Sequence, residues 1–202
     1  MAQATPSIKG SAISSVVADV CRMRESGKIP VEQLEARLEP EDLALLDARI
    51  QAALWYPIAS YRRLSELLLE VEGGGDPQYL ADRGACAAER LWEAGLYVQL
   101  QHGEEKAEAA RKEGRVLSER DARLITTLSG AIFNFTRWRY RSEGGLALIE
   151  ISEAEALPGV SVHAARGFLE YVVSRLRHCQ TRIDATRPAP DRVVFSFPLA
   201  SP

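Results

Sequence analysis

Apolar positions recur at helical spacing through the first two thirds of the chain and at strand spacing through the last third. From Ser11 onward Ile13, Val16, Val17, Val20 and Met23 return every three or four residues, and Gly27 supplies a stop. A short helix is predicted at Pro30. Pro40 fits the first turn of the next helix, where Glu41 and Asp42 favour the positive end of the dipole; Leu43, Leu46, Ile50 and Leu54 form its stripe, ended by Pro57. Pro57 in turn opens a helix carrying Ile58, Tyr61, Leu64, Leu68 and Val71 on one face, stopped by Gly73-Gly74-Gly75. Asp76-Pro77 restarts helix at once, to about Gly95. Its centre is Gly84, Ala85, Cys86, Ala87 and Ala88, small enough for another helix or a ligand to approach the backbone.

Residues 101 to 123 carry charges of both signs at helical spacing, the pattern of a solvated face or connector. Ser118 with Asp121 resembles a capping box that opens a helix leading into the last third. There the pattern changes. AIFNFTRWRYR at 131 to 141 and GLALIEI at 145 to 151 are aromatic and β-branched runs joined at a Glu-Gly-Gly turn, which predicts a hairpin. A helix over 161 to 178 with the stripe Val162, Ala165, Phe168, Val172 and Leu176 follows, and TRIDA and RVVFSF supply two more strands around PAP. The predicted fold class is α+β, a helical N-terminal lobe followed by a β-β-α-β-β antiparallel sheet unit. Residues 1 to 7 are read as a disordered lead-in, 8 to 130 as the helical lobe and 131 to 202 as the sheet lobe of one domain.

Strand alternation puts Phe133, Phe135, Arg137, Arg139 and Arg141 on one side of the hairpin and Trp138 and Tyr140 on the other. With Glu143-Gly144 as the turn, Arg137 stands opposite Glu150 and Arg139 opposite Leu148. The Trp138 face is assigned to the core beneath the helix. Arg137, Arg139 and Arg141 then form a basic row, which reads either as a solvated face or as a site for an anion or an acidic partner, since guanidinium groups bind carboxylate and phosphate bidentately. A second candidate site is aromatic. Trp55, Tyr56, Tyr61, Trp92 and Tyr97, spread over helices near Gly84, could line a pocket for a small apolar ligand; their other reading is ordinary core.

Composition removes several chemistries. The 202 residues are 46% hydrophobic and 26% charged, with a net charge of -3 and three distant cysteines. No global positive field exists to hold nucleic acid, and the aromatics of the hairpin project away from its arginines. Cys21, Cys86 and Cys179 fit reduced thiols, no apolar run is long enough to span a bilayer, and the opening MAQATPSIKG lacks a signal peptide's apolar core, so a cytoplasmic location is expected. His178 and Cys179 are neighbours and His163 lies far along the same helix, so no metal set is expected. A nucleophilic triad and a phosphate loop lack their motifs, and no catalytic residue is assigned.

IKGS at residues 8 to 11, Trp55-Tyr56-Pro57 with Tyr61 four residues after the proline, GGDP at 74 to 77 and Arg166-Gly167 together resemble a paralogous family of unknown function abundant in myxobacteria. The layout also resembles the wider group of heme-nitric-oxide-binding sensor domains and 4-vinyl-reductase-type ligand-binding domains. The resemblance implies a helical lobe joined to a small antiparallel sheet and used for signalling or ligand sensing. The tyrosine-serine-arginine motif that grips heme propionates in that group is replaced by the differently ordered Tyr140-Arg141-Ser142, and His102 stands in the charged connector, so no heme or other cofactor is expected. The function expected is a non-enzymatic signalling or sensory module acting through a small-molecule pocket or a protein partner. The alternatives are a structural or interaction protein that self-associates or serves as an adaptor, and third an enzyme of unknown type.

Overall fold

A computed structural model describes residues 5–95 and 117–199, and Tyr97, His102 and most of the charged connector lie outside them. In chain order the elements are β1 (Ser7–Lys9), α1 (Gly10–Glu25), α2 (Val31–Arg37), α3 (Pro40–Asp47), β2 (Trp55–Pro57), α4 (Ile58–Val71) and α5 (Pro77–Glu93). After the connector come α6 (Glu119–Gly130), β3 (Arg137–Glu143), β4 (Leu146–Ser152), α7 (Gly159–Arg177), β5 (Asp184–Ala189) and β6 (Arg192–Pro198). The sheet is antiparallel in the order β3-β4-β6-β5, and β1 and β2 make a separate two-stranded ribbon. The protein is therefore an α+β structure with an N-terminal helical lobe.

Helices α1 and α4 bury the stripes their sequences present, whereas in α7 the buried apolar positions are Val160, Leu169, Val172 and Val173, and the expected Val162, Ala165, Phe168 and Leu176 are only half-buried around them. Ile13, Val16, Val17, Val20 and Met23 of α1 meet Ile58, Tyr61, Leu64 and Leu68 of α4 in a first core. A second core lies against the sheet, where Ala147, Ile149, Ile151, Val193, Phe195 and Phe197 face Leu169, Val172 and Val173 of α7. Helix α6 belongs with this second core, since its Ala122 and Ile125 are buried there rather than in the helical lobe. Helices α5 and α7 serve both cores: Leu80 and Val160 enter the first, Ala88 and Leu169 the second.

Several expectations require correction. The stripe over 40 to 54 does not form one helix: α3 ends at Asp47, and Leu54 is exposed. The segment is irregular, with a turn closed by the Leu54 N–H on the Gln51 carbonyl, and the carbonyls of Ala52 and Leu54 accept the N–H groups of Ser11 and Gly10, the otherwise unpartnered donors at the start of α1. Order begins before Ile8. Asn134 accepts from the Ser7 N–H at 2.7 Å, and Ile58 donates to the Pro6 carbonyl. Strand β1 is thus held by β2 on one side and by residues 132 to 134 on the other, with Ile8 bridged to Phe133.

The hairpin also differs in register. Its turn is Gly144-Gly145, both at positive φ (58° and 80°), which a two-residue turn of this hand requires and glycine adopts without strain. Arg137 therefore pairs with Ser152, Arg139 with Glu150 and Arg141 with Leu148, two positions from the expected register but with the same faces. Strand β3 begins only at Arg137. Phe133 and Phe135 belong to an irregular connector, meet edge to face at 5.8 Å, and pack against both cores instead of sharing the arginine face.

One buried ion pair pins the helical lobe. Asp42 has no exposed surface, accepts from the Glu39 N–H at 3.0 Å and takes a two-pronged contact from Arg63 of α4. Burial acts to raise its pKa, but Arg63, the Ser60 hydroxyl and the Glu39 N–H outweigh it and hold the carboxyl below the usual range. Asp42→Ala is expected to cost about 2 to 3 kcal/mol, less than for a fully stranded buried charge, because Arg63 keeps Glu41 as a partner at 2.7 Å. Since the folded pKa is depressed, the stabilisation is complete above the unfolded value of ~3.9 and is lost as pH falls through the lower folded value. Urea melts of wild type and Asp42→Asn across that acid range check this: the gap between them should close toward the acid end, and a pH-independent gap would refute it.

Candidate functional site

The two lobes meet where α5 crosses α7, and the crossing is closed backbone to backbone. A Cβ placed on Gly84 would lie 1.9 Å from the Ala164 carbonyl oxygen and 3.0 Å from the Phe168 nitrogen; one on Gly167 would lie 1.8 Å from the Ala81 carbonyl oxygen. Ala81 and Gly84 lie one turn apart on α5, as Ala164 and Gly167 do on α7, so the helices run antiparallel and each presents a notch to the other. What approaches Gly84 is thus helix backbone. Gly167 is its counterpart, and nothing in the sequence pattern marks it except the short Arg166-Gly167 pair.

Beside the crossing an open groove of about 830 Å3 follows the C-terminal half of α7. Gln78, Asp82 and Ala85 of α5 form one wall and Arg166, Glu170, Tyr171 and Arg175 of α7 the floor. The other wall is the chain after α7, from His178 to Asp184. That segment turns back because His178 takes a left-handed conformation (φ 50°), and it is fastened along α7 by two side chains: Ser174 accepts from the Thr181 N–H at 2.9 Å and Glu170 from the Ile183 N–H at 3.0 Å. The lining is largely charged and polar.

The aromatic candidates do not share one cavity wall. Trp55 is exposed on β2 under the Lys9 ammonium, 4.2 Å from the ring centroid. The Tyr56 hydroxyl accepts from the Gln51 N–H at 2.9 Å, and Tyr61 is buried in the first core, where burial pushes its phenol pKa up. Trp92 packs against the second core. Tyr97 lies outside the described residues.

The hairpin arginines are exposed, while Trp138 and Tyr140 are half-buried against the second core, with Trp138 stacked 6.2 Å from Phe195. Acidic neighbours occupy most of the row. Arg137 meets Glu153 at 2.6 Å, Arg141 meets Glu143 at 2.5 Å, and Glu150 is shared by Arg141 and Arg192. Arg139 has no carboxylate partner among the described residues.

No family model matches the chain, and no curated protein sequence does. Solved structures do match in shape. A variant of an H-NOX protein from K. algicida, in its Fe(II) unliganded state, has a TM-score of 0.60 at 10% identity, covering 96% of this chain and 97% of that one. An H-NOX variant from T. Tengcongensis has a TM-score of 0.50 at 12% identity, covering 96% and 99%. The chain therefore has the H-NOX fold. On that fold, the candidate site is the glycine-notched crossing and the polar groove beside it.

The geometry of the site has measurable consequences. Gly84→Ala is expected to destabilise by roughly 1 to 3 kcal/mol although alanine is the better helix former by only about 1 kcal/mol, because a carbonyl of the facing backbone cannot rotate away. Gly167→Ala should cost as much, and the double variant clearly less than the sum, since one separation of the helices relieves both clashes. Additive or neutral effects in urea melts would mean that the helices are not in this contact. On the sheet, replacing Arg139 and Arg141 together by Glu should change stability by less than about 1 kcal/mol, whereas Trp138→Ala should cost about 2 to 4 kcal/mol. The reverse order in thermal melts would exchange the two faces.

Proposed function

We propose that this protein is a non-enzymatic sensory module in which a bound small molecule or a protein partner changes the packing of α5 on α7. The observation that carries the reading is the crossing itself: two helices that each belong to both cores touch through glycine notches, so a displacement of one is transmitted to both lobes. The sensor-class fold supports the same reading. Among the described residues no three His, Cys, Asp or Glu side chains form a metal-binding group. No helix among them is long and apolar enough to cross a membrane.

The solved neighbours include a heme protein, and the described residues of this chain do not fit a heme. His163 is half-buried, with burial and the Arg166 guanidinium pushing its pKa down, and His178 is exposed at the groove. Tyr140 faces the sheet core while Arg141 is committed to Glu143 and Glu150 on the opposite face, so neither offers a propionate grip. The groove is open and charged where a porphyrin needs an enclosed apolar slot. A second reading, an interaction protein, draws on the uncovered outer face of the sheet with the unmatched Arg139.

Native mass spectrometry of protein purified from its own host tests the proposal. The expected result is a stoichiometric non-heme small molecule or a second protein, with no Soret absorbance. A heme-loaded chain, or a bare monomer on which no ligand or partner can be found, would overturn it.

A further inference from the structure

The groove along α7 gathers three arginines, and although Asp82, Glu170 and Asp184 line it as well, none of these guanidinium groups is paired with them. Many arginines elsewhere are matched: Arg37 meets Glu70, Arg63 meets Asp42 and Glu41, and Arg83 meets Asp19, while Arg49, Arg120 and Arg139 stand singly at the surface with no carboxylate in contact among the described residues. Three guanidinium groups of the groove have no carboxylate in contact among the described residues. Among the described residues Arg166 reaches the neutral amide of Gln78, at 2.8 Å, and its buried Nε meets no partner there. Arg175 bonds only the Tyr171 hydroxyl, at 3.1 and 3.2 Å, with Glu89 and Glu93 acting on it from a distance. Arg182 is exposed with neither hydrogen bond nor ion pair among the described residues.

The acids that line the same groove are otherwise engaged. Asp82 accepts from the Gln78 amide at 2.7 Å, and Glu170 holds the Ile183 N–H. Among the described residues that line the groove, Asp184 is the acid without a hydrogen bond or ion pair from its side chain, two positions along the chain from Arg182. Basic groups in the last turn of a helix answer its dipole, which accounts for Arg175. It does not account for Arg166, three turns from that end, or for Arg182, beyond it.

We propose that this groove binds a small molecule bearing at least two oxyanion groups, phosphate or carboxylate, held by Arg166, Arg175 and Arg182. Guanidinium forks bind both groups bidentately, and an open groove of about 830 Å3 admits a metabolite-sized ligand without burying apolar surface. The proposal names the ligand class of the sensory reading and rests on it only for the consequence of binding, so the two can fail separately.

Calorimetric titration with inorganic pyrophosphate and, in parallel, with citrate tests binding at low ionic strength. Saturable binding of either supports the proposal: pyrophosphate alone identifies a phosphate-bearing ligand, citrate alone a polycarboxylate. Arg175→Gln with Arg182→Gln should weaken it about tenfold or more, since charge-assisted hydrogen bonds carry that much each. Arg137→Gln with Arg139→Gln and Arg141→Gln, on the opposite face of the sheet, should leave it unchanged. Amide shift mapping on the unmodified chain locates the bound anion without relying on variants, with shifts expected over 166 to 184. Failure of both probes to saturate, equal losses in the two sets of variants, or shifts confined to the hairpin would overturn the proposal. Binding without any change in hydrogen exchange of α5 and α7 would leave the ligand site standing and remove the sensory consequence.

Discussion

The close contact of α5 with α7 is the constraint on which the rest of the structure depends. Two glycines remove the side chains that would otherwise keep the helix axes apart, and the carbonyls of Ala81 and Ala164 occupy the vacated space. Because Leu80 and Ala88 lie on opposite sides of the notch, α5 cannot tilt without disturbing both cores. Close-packed interiors have few intermediate arrangements, so a push at such a crossing is answered by a discrete repacking more readily than by a gradual bend.

The lobes are joined a second time, by a different kind of bond. Strand β1 inserts between β2 and the connector before β3, and its attachment is made of backbone hydrogen bonds and the Asn134 side chain, with Phe133 and Phe135 wedged beside it. This strap is directional and short, whereas the crossing is broad and apolar. Within the helical lobe, Asp19 with Arg83 ties α1 to α5 and Asp42 with Arg63 ties α3 to α4. A lobe braced in this way transmits motion as a body, which places the adjustable contacts at the crossing and the strap.

Long amphipathic stripes made most helices legible: Ile13 to Met23 and Ile58 to Leu68 bury the residues their spacing assigns. Legibility failed where long-range pairing decides. Three-residue strands such as β1 and β2 have no alternation to read, and α3 stops short of a segment whose carbonyls serve α1, a demand no local pattern announces. The hairpin face survived a register error because a shift of two preserves alternation, while Phe133 and Phe135, counted into the same strand, did not. At the site, the run around Gly84 showed that something would come close. That the visitor would be α7, notched at Gly167, required the fold.

The distribution of matched and unmatched arginines separates the two basic regions of the molecule. On the sheet, cross-strand geometry brings Glu150 between Arg141 and Arg192, so that surface has largely satisfied itself, and Arg139 alone remains over. Along α7, Asp82 and Glu170 accept from the Gln78 amide and the Ile183 N–H, and the guanidinium groups lining the same groove have no carboxylate in contact among the described residues. A chain of net charge -3 has carboxylates enough to neutralise three more arginines. Folding instead commits Glu170 to fastening the segment after α7, so a carboxylate of the floor is held on the Ile183 N–H rather than on a guanidinium. The shape of the groove and the engagement of its floor carboxylate therefore have one cause, the return of the chain at His178 along the helix that forms the crossing.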